Sequence, residues 1–238
     1  MSKYLIGGLK VEYDARGDIL RENSEKYLDD FDGPADIKCT VSEEFLKEKQ
    51  KEIPHLSLAA HEYMWTGAAF GLEVLNHEGI ILHSSCVQKD GKAYLFSARS
   101  GTGKSTHTHL WTKYLENTSI INDDKPLLIK KDGNWYACGN PFSGKTNENT
   151  DTAAVLRAIV FLQRSEKNHI EKISPGQAVS LFIEQTINPS DKDKSIKMLE
   201  KIDDILTNVP AFRLYCNMEP DAAITAFKGI EEAIKNED

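Results

Sequence analysis

The chain has 238 residues, of which 40% are hydrophobic and 28% charged, a balance that fits a folded chain with a sizeable core and excludes disorder. A formal net charge of −8 excludes a general binder of nucleic acid or of membrane surfaces, which would carry a basic stripe. No N-terminal segment has the order of a signal peptide, and the apolar run Ala153 to Leu162 is short and holds Arg157, so a cytoplasmic protein is expected.

In chain order, residues 3–12 and 35–41 read as short strands joined by an acidic, irregular stretch. Ser42 opens a short helix, and a longer one follows Ser57, with Leu58, His61, Glu62 and Trp65 at helical spacing. Gly79 to Val87 and Ala93 to Ala98 are apolar strands flanking Asp90-Gly91, a hairpin signal. A glycine-rich loop comes next, then a helix from Lys104, a buried strand Ser119-Ile120-Ile121, and a second hairpin at Asp132-Gly133. Ala154 to Leu162 is a further core strand. The last third is more helical: one helix from Ser174-Pro175, one over 191–207, a strand over 211–217 and a closing helix over 219–234. The pattern predicts an α/β chain with a mixed sheet: a small α+β N-terminal subdomain over 1–77, then a core over 78–238. The four cysteines lie far apart without ligand spacing and read as reduced, structural thiols.

The stretch Ala98-Arg99-Ser100-Gly101-Thr102-Gly103-Lys104-Ser105 matches the phosphate-binding P-loop, with alanine at its first glycine. Glycines at 101 and 103 let backbone N–H groups turn onto phosphate oxygens, and the helix N-terminus adds its positive end. Lys104 supplies a point charge, the Ser105 hydroxyl suits Mg²⁺, and Arg99, Ser100, Thr102 and Thr106 flank a nucleotide. Asp123-Asp124 ends the next buried strand, where carboxylates hold Mg²⁺ or take a proton from an attacking hydroxyl. His83 lies in an apolar strand, as a core histidine or a functional one. Lys145, in a polar loop, and Arg157, inside an apolar strand, are candidate phosphate or substrate contacts; an idle lysine and a structural ion pair are the alternatives. His61-Glu62 lacks the second histidine of a zinc helix, and Trp65 and Trp111 read as core.

The run LHSSCVQKDGKAYLFSARSGTGKSTHTHLW followed by INDD resembles the catalytic core of HPr kinase/phosphorylase, of the phosphoenolpyruvate carboxykinase type of P-loop fold. The segments SGTGKSTH, NDDKP, GNPFSGK and CNMEP are similar to those of small bacterial HPr-kinase-like proteins, including kinases that modify ribosomally made peptides. The resemblance is good over about residues 79–165. It implies ATP and Mg²⁺ as cofactors, Asp124 as the base towards an acceptor hydroxyl, and Asp123 and His83 in support. Lys104 would meet phosphates, and Ser105 and Asp123 the metal. The chain departs from the family downstream, where a glutamate signature that contributes a metal ligand is missing; Glu148 is the candidate replacement. Its N-terminal part does not resemble that family's regulatory domain, which argues against HPr as substrate. The expected activity is transfer of the ATP γ-phosphate to a hydroxyl, on Ser or Thr of a peptide or small protein or on a small metabolite. A regulatory ATPase or switch is the alternative. A carboxykinase is disfavoured by length and by the lack of a second metal site. The acceptor, the choice of ATP over GTP and the oligomeric state are left open.

Overall fold

The structure is a computed structural model that describes residues 1–236. It opens with β1 (Ser2–Ile6) and β2 (Leu9–Tyr13), an antiparallel hairpin turning at Gly7-Gly8, where one strand over 3–12 was expected. Helix α1 (Asp18–Ser24) lies in the stretch expected to be irregular; seven residues are too few for helical periodicity to stand out. Strand β3 (Ile37–Cys39) pairs parallel to β2. Helices α2 (Glu43–Glu52) and α3 (Leu58–Glu73) start at the expected caps: the Ser42 and Ser57 hydroxyls accept from the N–H groups of Phe45 and Ala60.

The second sheet is nine-stranded and mixed, as the pattern of hairpins and helices requires. It holds β4 (Gly79–Ile81), β5 (Ser84–Lys89), β6 (Lys92–Ser97), β7 (Thr118–Asn122), β8 (Leu127–Lys131), β9 (Asn134–Cys138), β10 (Ala153–Arg164), β11 (His169–Ile173) and β12 (Ala211–Cys216). Strands β6, β10 and β12 are parallel, with β10 between its two partners, and the other pairings are antiparallel. The two Asp-Gly hairpins form as expected, with positive φ at both turn residues of each.

Central strands read as unbroken apolar runs because both faces are covered. On β6, Tyr94 and Phe96 pack with Trp111 of α4 (Lys104–Tyr114) and Ile230 of α7 (Pro220–Lys235). Ala93 and Leu95 face the other way, with Phe182 of α5 (Pro175–Ile183) and Ile202 of α6 (Lys192–Asn208). β10 divides alike, Val160 to the first layer and Ile159 to the second. A third apolar cluster joins Tyr4, Val11 and Phe70 to Leu127, Ile129 and Cys138, so the small sheet packs on β8 and β9. Among the described residues no helix is long and apolar enough to cross a membrane.

One glycine is required by close approach. A Cβ on Gly139 would lie 1.7 Å from the carbonyl oxygen of Thr150, a backbone atom held within the bonded β9–β10 connection. Gly139→Ala is expected to cost about 2 kcal/mol or more, because backbone must move. Thermal melting should fall by roughly 2–4 °C per kcal/mol. An unchanged melting temperature would show that the connection yields freely.

Candidate active site

The expected phosphate cradle lies at the C-terminal edge of the parallel strands, between β6 and α4. Gly103 caps α4 at φ 118°, a left-handed conformation that a side chain would strain. A Cβ at Gly101 or Gly103 would meet no atom within 4 Å, so open space lies over the loop. Arg164, at the end of β10, donates from Nε to the Thr102 carbonyl at 3.1 Å and from Nη2 to the Gly101 carbonyl. Carbonyl and following N–H point oppositely across a trans peptide, so holding the Thr102 carbonyl outward turns the Gly103 N–H to the loop's other side. A Gly103 N–H turned away from Arg164, a helix N-terminus and a lysine together fit an anion.

The Lys104 ammonium is buried, donating to the Ala98 carbonyl at 3.0 Å and lying 3.2 Å from His83 Nε2. Burial lowers its pKa, against the opposing charges of Asp124 and Asp123. His83 does not lie within a continuous strand, contrary to expectation. The run Gly79 to Val87 breaks at Leu82-His83, because β4 pairs with β8 while β5 pairs with β6 and β7. The freed backbone is satisfied elsewhere: the His83 N–H donates to the Gln185 carbonyl at 2.8 Å, and the Ser84 N–H to the Asp124 carbonyl at 2.9 Å. That break aims the imidazole at the cradle. Its Nδ1 is 3.1 Å from Gln185 Oε1 and its Nε2 is 3.2 Å from Asp124 Oδ1. Nε2 cannot accept from Lys104 and donate to Asp124 in one protonation state, so the two contacts alternate. Burial alone would raise the Asp124 pKa, but the hydrogen bond with His83 and the charge of Lys125 outweigh it, and the carboxyl is held below its ordinary range.

The adjacent aspartates take different environments, as expected of neighbours at a strand end. Asp123 is buried; Oδ1 accepts from the Ser85 hydroxyl, and Oδ2 from the Thr146 hydroxyl at 3.1 Å. Asp124 instead reaches His83 and Lys125. Two asparagines fasten this turn to the 139–146 segment. Asn122 Nδ2 donates to the Asn140 carbonyl at 3.0 Å, while its Oδ1 accepts the N–H groups of Asp124 and Lys125. In return Asn140 Nδ2 donates to the Lys125 carbonyl at 2.6 Å. Ser85, Asn122, Asn140, Thr146, Arg164 and Gln185 were not read from the sequence. The two asparagines were signalled only by lying in the segments NDDKP and GNPFSGK.

The other candidates divide. Ser105 is half-buried and Thr106 exposed on the first turn of α4, and Ser100 is exposed on the loop. Arg99, 82% exposed, pairs with Glu184 at the rim. Lys145 is exposed between Gly144, which packs on Asp124, and Thr146, which bonds Asp123. The Glu148 carbonyl accepts from the Asp123 N–H, while its side chain pairs with His109 and raises the pKa of that imidazole. Arg157 is not brought to the cradle. It lies towards the opposite end of β10 from Arg164, in a two-pronged pair with Glu231 at 3.1 and 3.0 Å, so the structural ion pair is the role the fold gives it.

Cavities surround the cradle. One of about 710 Å³ lies against Arg99, Phe161, Leu181 and Gln185; one of about 590 Å³ lies against Thr106, Leu110, Leu162 and Met218. A third, of about 330 Å³, contains His83, Asp124 and Lys125. Among the described residues no three His, Cys, Asp or Glu side chains group as a metal site. A magnesium ion takes few protein ligands in phosphate sites and completes its shell from phosphate and water. Ser105 and Asp123 would hold it.

The family described as "SynChlorMet cassette protein ScmC" matches residues 65–221, well over half of the chain. The chain belongs to the ScmC family. The ScmC match takes in the cradle, Asp123-Asp124 and the 139–146 segment, and leaves the β1–β3 sheet outside. A search of curated proteins found no match. Among solved structures, the chain is similar to the Hpr(Ser) kinase/phosphatase from Coxiella burnetii, with TM-score 0.40 and 8% sequence identity, over 66% of this chain and 99% of that one. A likeness at that score carries no inference about activity.

Proposed function

We propose that this ScmC-family chain is a magnesium-dependent kinase that transfers the γ-phosphate of ATP to a hydroxyl. The acceptor is Ser or Thr of a peptide or small protein, or a small hydroxylated metabolite. The observation that carries the reading is the place of His83 Nε2, 3.2 Å from the cradle lysine and 3.2 Å from Asp124, whose carboxyl faces its own cavity. The acceptor oxygen attacks the γ-phosphorus as its proton passes to Asp124. The bond to the β-phosphate oxygen breaks, and ADP leaves. A magnesium ion would neutralise charge on the phosphate oxygens when bound. Lys104 holds those oxygens, Asp123 is fixed by Ser85 and Thr146, and His83 orients Asp124 once Lys104 has moved to phosphate. The motif resemblance to HPr-kinase-like proteins points the same way. Since the family description speaks of a cassette, peptides encoded beside the chain are the first acceptors to try.

The test is label transfer from γ-labelled ATP and Mg²⁺ to such peptides, after a thermal shift has shown nucleotide binding. A ligand at a hundred times its Kd should stabilise the fold by about 2.7 kcal/mol. Hydrolysis without any labelled acceptor would favour a regulatory ATPase, and no thermal shift at saturating nucleotide would sink the reading. His83→Ala is expected to slow transfer by about tenfold to a hundredfold, the worth of a hydrogen bond to a charged group, with ATP affinity nearly unchanged. Equal transfer in the mutant would return His83 to a packing role.

A further inference from the structure

The structure assigns the cavity of about 590 Å³ beside the cradle to the base and ribose of the nucleoside triphosphate, with Met218 as its cover. The assignment deepens the kinase reading and rests on it. Reaction geometry fixes which side is which. The terminal phosphate must end beside Lys104 and Asp124, and the cavity holding Asp124 also holds Glu184 and Gln185. The cavity of about 710 Å³ lies between the two, sharing Glu184 and Gln185 with that of Asp124 and Gly101, Thr102 and Arg164 with the cavity beside Met218. This last cavity shares no lining residue with that of Asp124, yet it touches Gly101, Thr102 and Gly103. A phosphate chain laid along the loop therefore delivers its nucleoside end there.

The walls suit a flat ring. Leu110 of α4 and Leu162 of β10 offer apolar surface, and Arg164 lies at the seam with the loop carbonyls. Cys216, Asn217 and Met218 of the segment CNMEP, which leaves β12 and has no other part in the mechanism, line the same cavity. Asn217 pins that turn: its N–H donates to Asn168 Oδ1 at 2.9 Å, its Nδ2 to the Glu166 carbonyl at 3.1 Å, and its Oδ1 accepts the Glu219 N–H at 3.0 Å. A fixed turn thus holds out Met218, which at 73% is the most exposed large hydrophobic side chain of the described residues. A polarisable thioether held over an apolar slot is a good partner for an aromatic face.

The experiment measures affinity for ATP and for inorganic tripolyphosphate, which carries the phosphate chain without a nucleoside. In wild type, ATP should bind more tightly. Met218→Ala should weaken ATP by about fivefold to tenfold, the loss of one apolar contact surface, with tripolyphosphate within about twofold. Met218→Leu should restore most of the loss. Leu110→Glu should act in the same direction, with melting checked because Leu110 also packs inside the fold. If wild type binds tripolyphosphate as tightly as ATP, or if Met218→Ala leaves the ratio of the two affinities unchanged, the assignment is overturned while the kinase reading stands. Binding of neither ligand would overturn both.

Discussion

Asp124→Asn is expected to slow phosphoryl transfer by about a hundredfold to ten-thousandfold, the usual contribution of a placed base. The substitution keeps the side-chain shape and removes the basic oxygen. Oδ1 meets His83 and Oδ2 meets Lys125, so the amide replaces an acceptor without opening a void. Nucleotide affinity should change little, since Ser105 and Lys104 are untouched. Asp123→Asn should differ: its carboxylate is locked by two hydroxyls, and its loss should raise the Mg²⁺ requirement. The measurement is single-turnover transfer with Mg²⁺ titrated for each protein. Transfer within a few-fold of wild type in Asp124→Asn would show the base to be elsewhere. Because the Asp124 pKa lies below its ordinary value, the acid limb of transfer should lie below the usual aspartate range. The linked stability has the same sign: it is present above the unfolded-state pKa and is lost as pH falls through the folded one.

Lys104→Ala is expected to lower turnover by about a thousandfold or more, since it removes a preorganised, buried charge. The ammonium is buried and, among the described residues, bonds the Ala98 carbonyl and His83 alone, so the fold should survive its loss. Melting in the absence of nucleotide should stay within a few degrees of wild type. The stabilisation given by Mg²⁺-ATP should largely disappear. Near-normal turnover, with melting unchanged, would remove the loop from the mechanism.

Local chemistry explains which parts of the site were legible. Gly103-Lys104-Ser105 announce a cradle because backbone, charge and hydroxyl follow one another in the chain. Asp123-Asp124 stood out as paired carboxylates at the end of an apolar strand. His83 stood out as a polar residue in an apolar run, but the strand break that aims it is produced by pairing choices of β4 and β5 and leaves no local mark. Gln185 reaches His83 from the end of α5, 102 residues away, and no spacing rule connects them. Arg157 and Arg164 look alike in sequence; only their positions on β10 separate an ion pair from a loop clamp. The α/β class and the mixed sheet followed from the hairpins and helix caps. The Gly7-Gly8 turn was hidden by apolar residues on both sides of it.

The reciprocal amide bonds of Asn122 and Asn140 also determine how the chain tolerates recombination. In a chimera that takes residues 122–126 from a homologue with another side chain at 122, the Asn140 segment would keep a carbonyl whose donor had gone. The cost of one such orphan is about 1–3 kcal/mol, enough to leave the Asp pair misplaced even where the protein folds. Residues 122–126 and 139–146, though separated by the whole β8–β9 hairpin, form one exchange unit. Swaps that respect it should keep the turn and the activity, and swaps that divide it should yield folded, inactive hybrids.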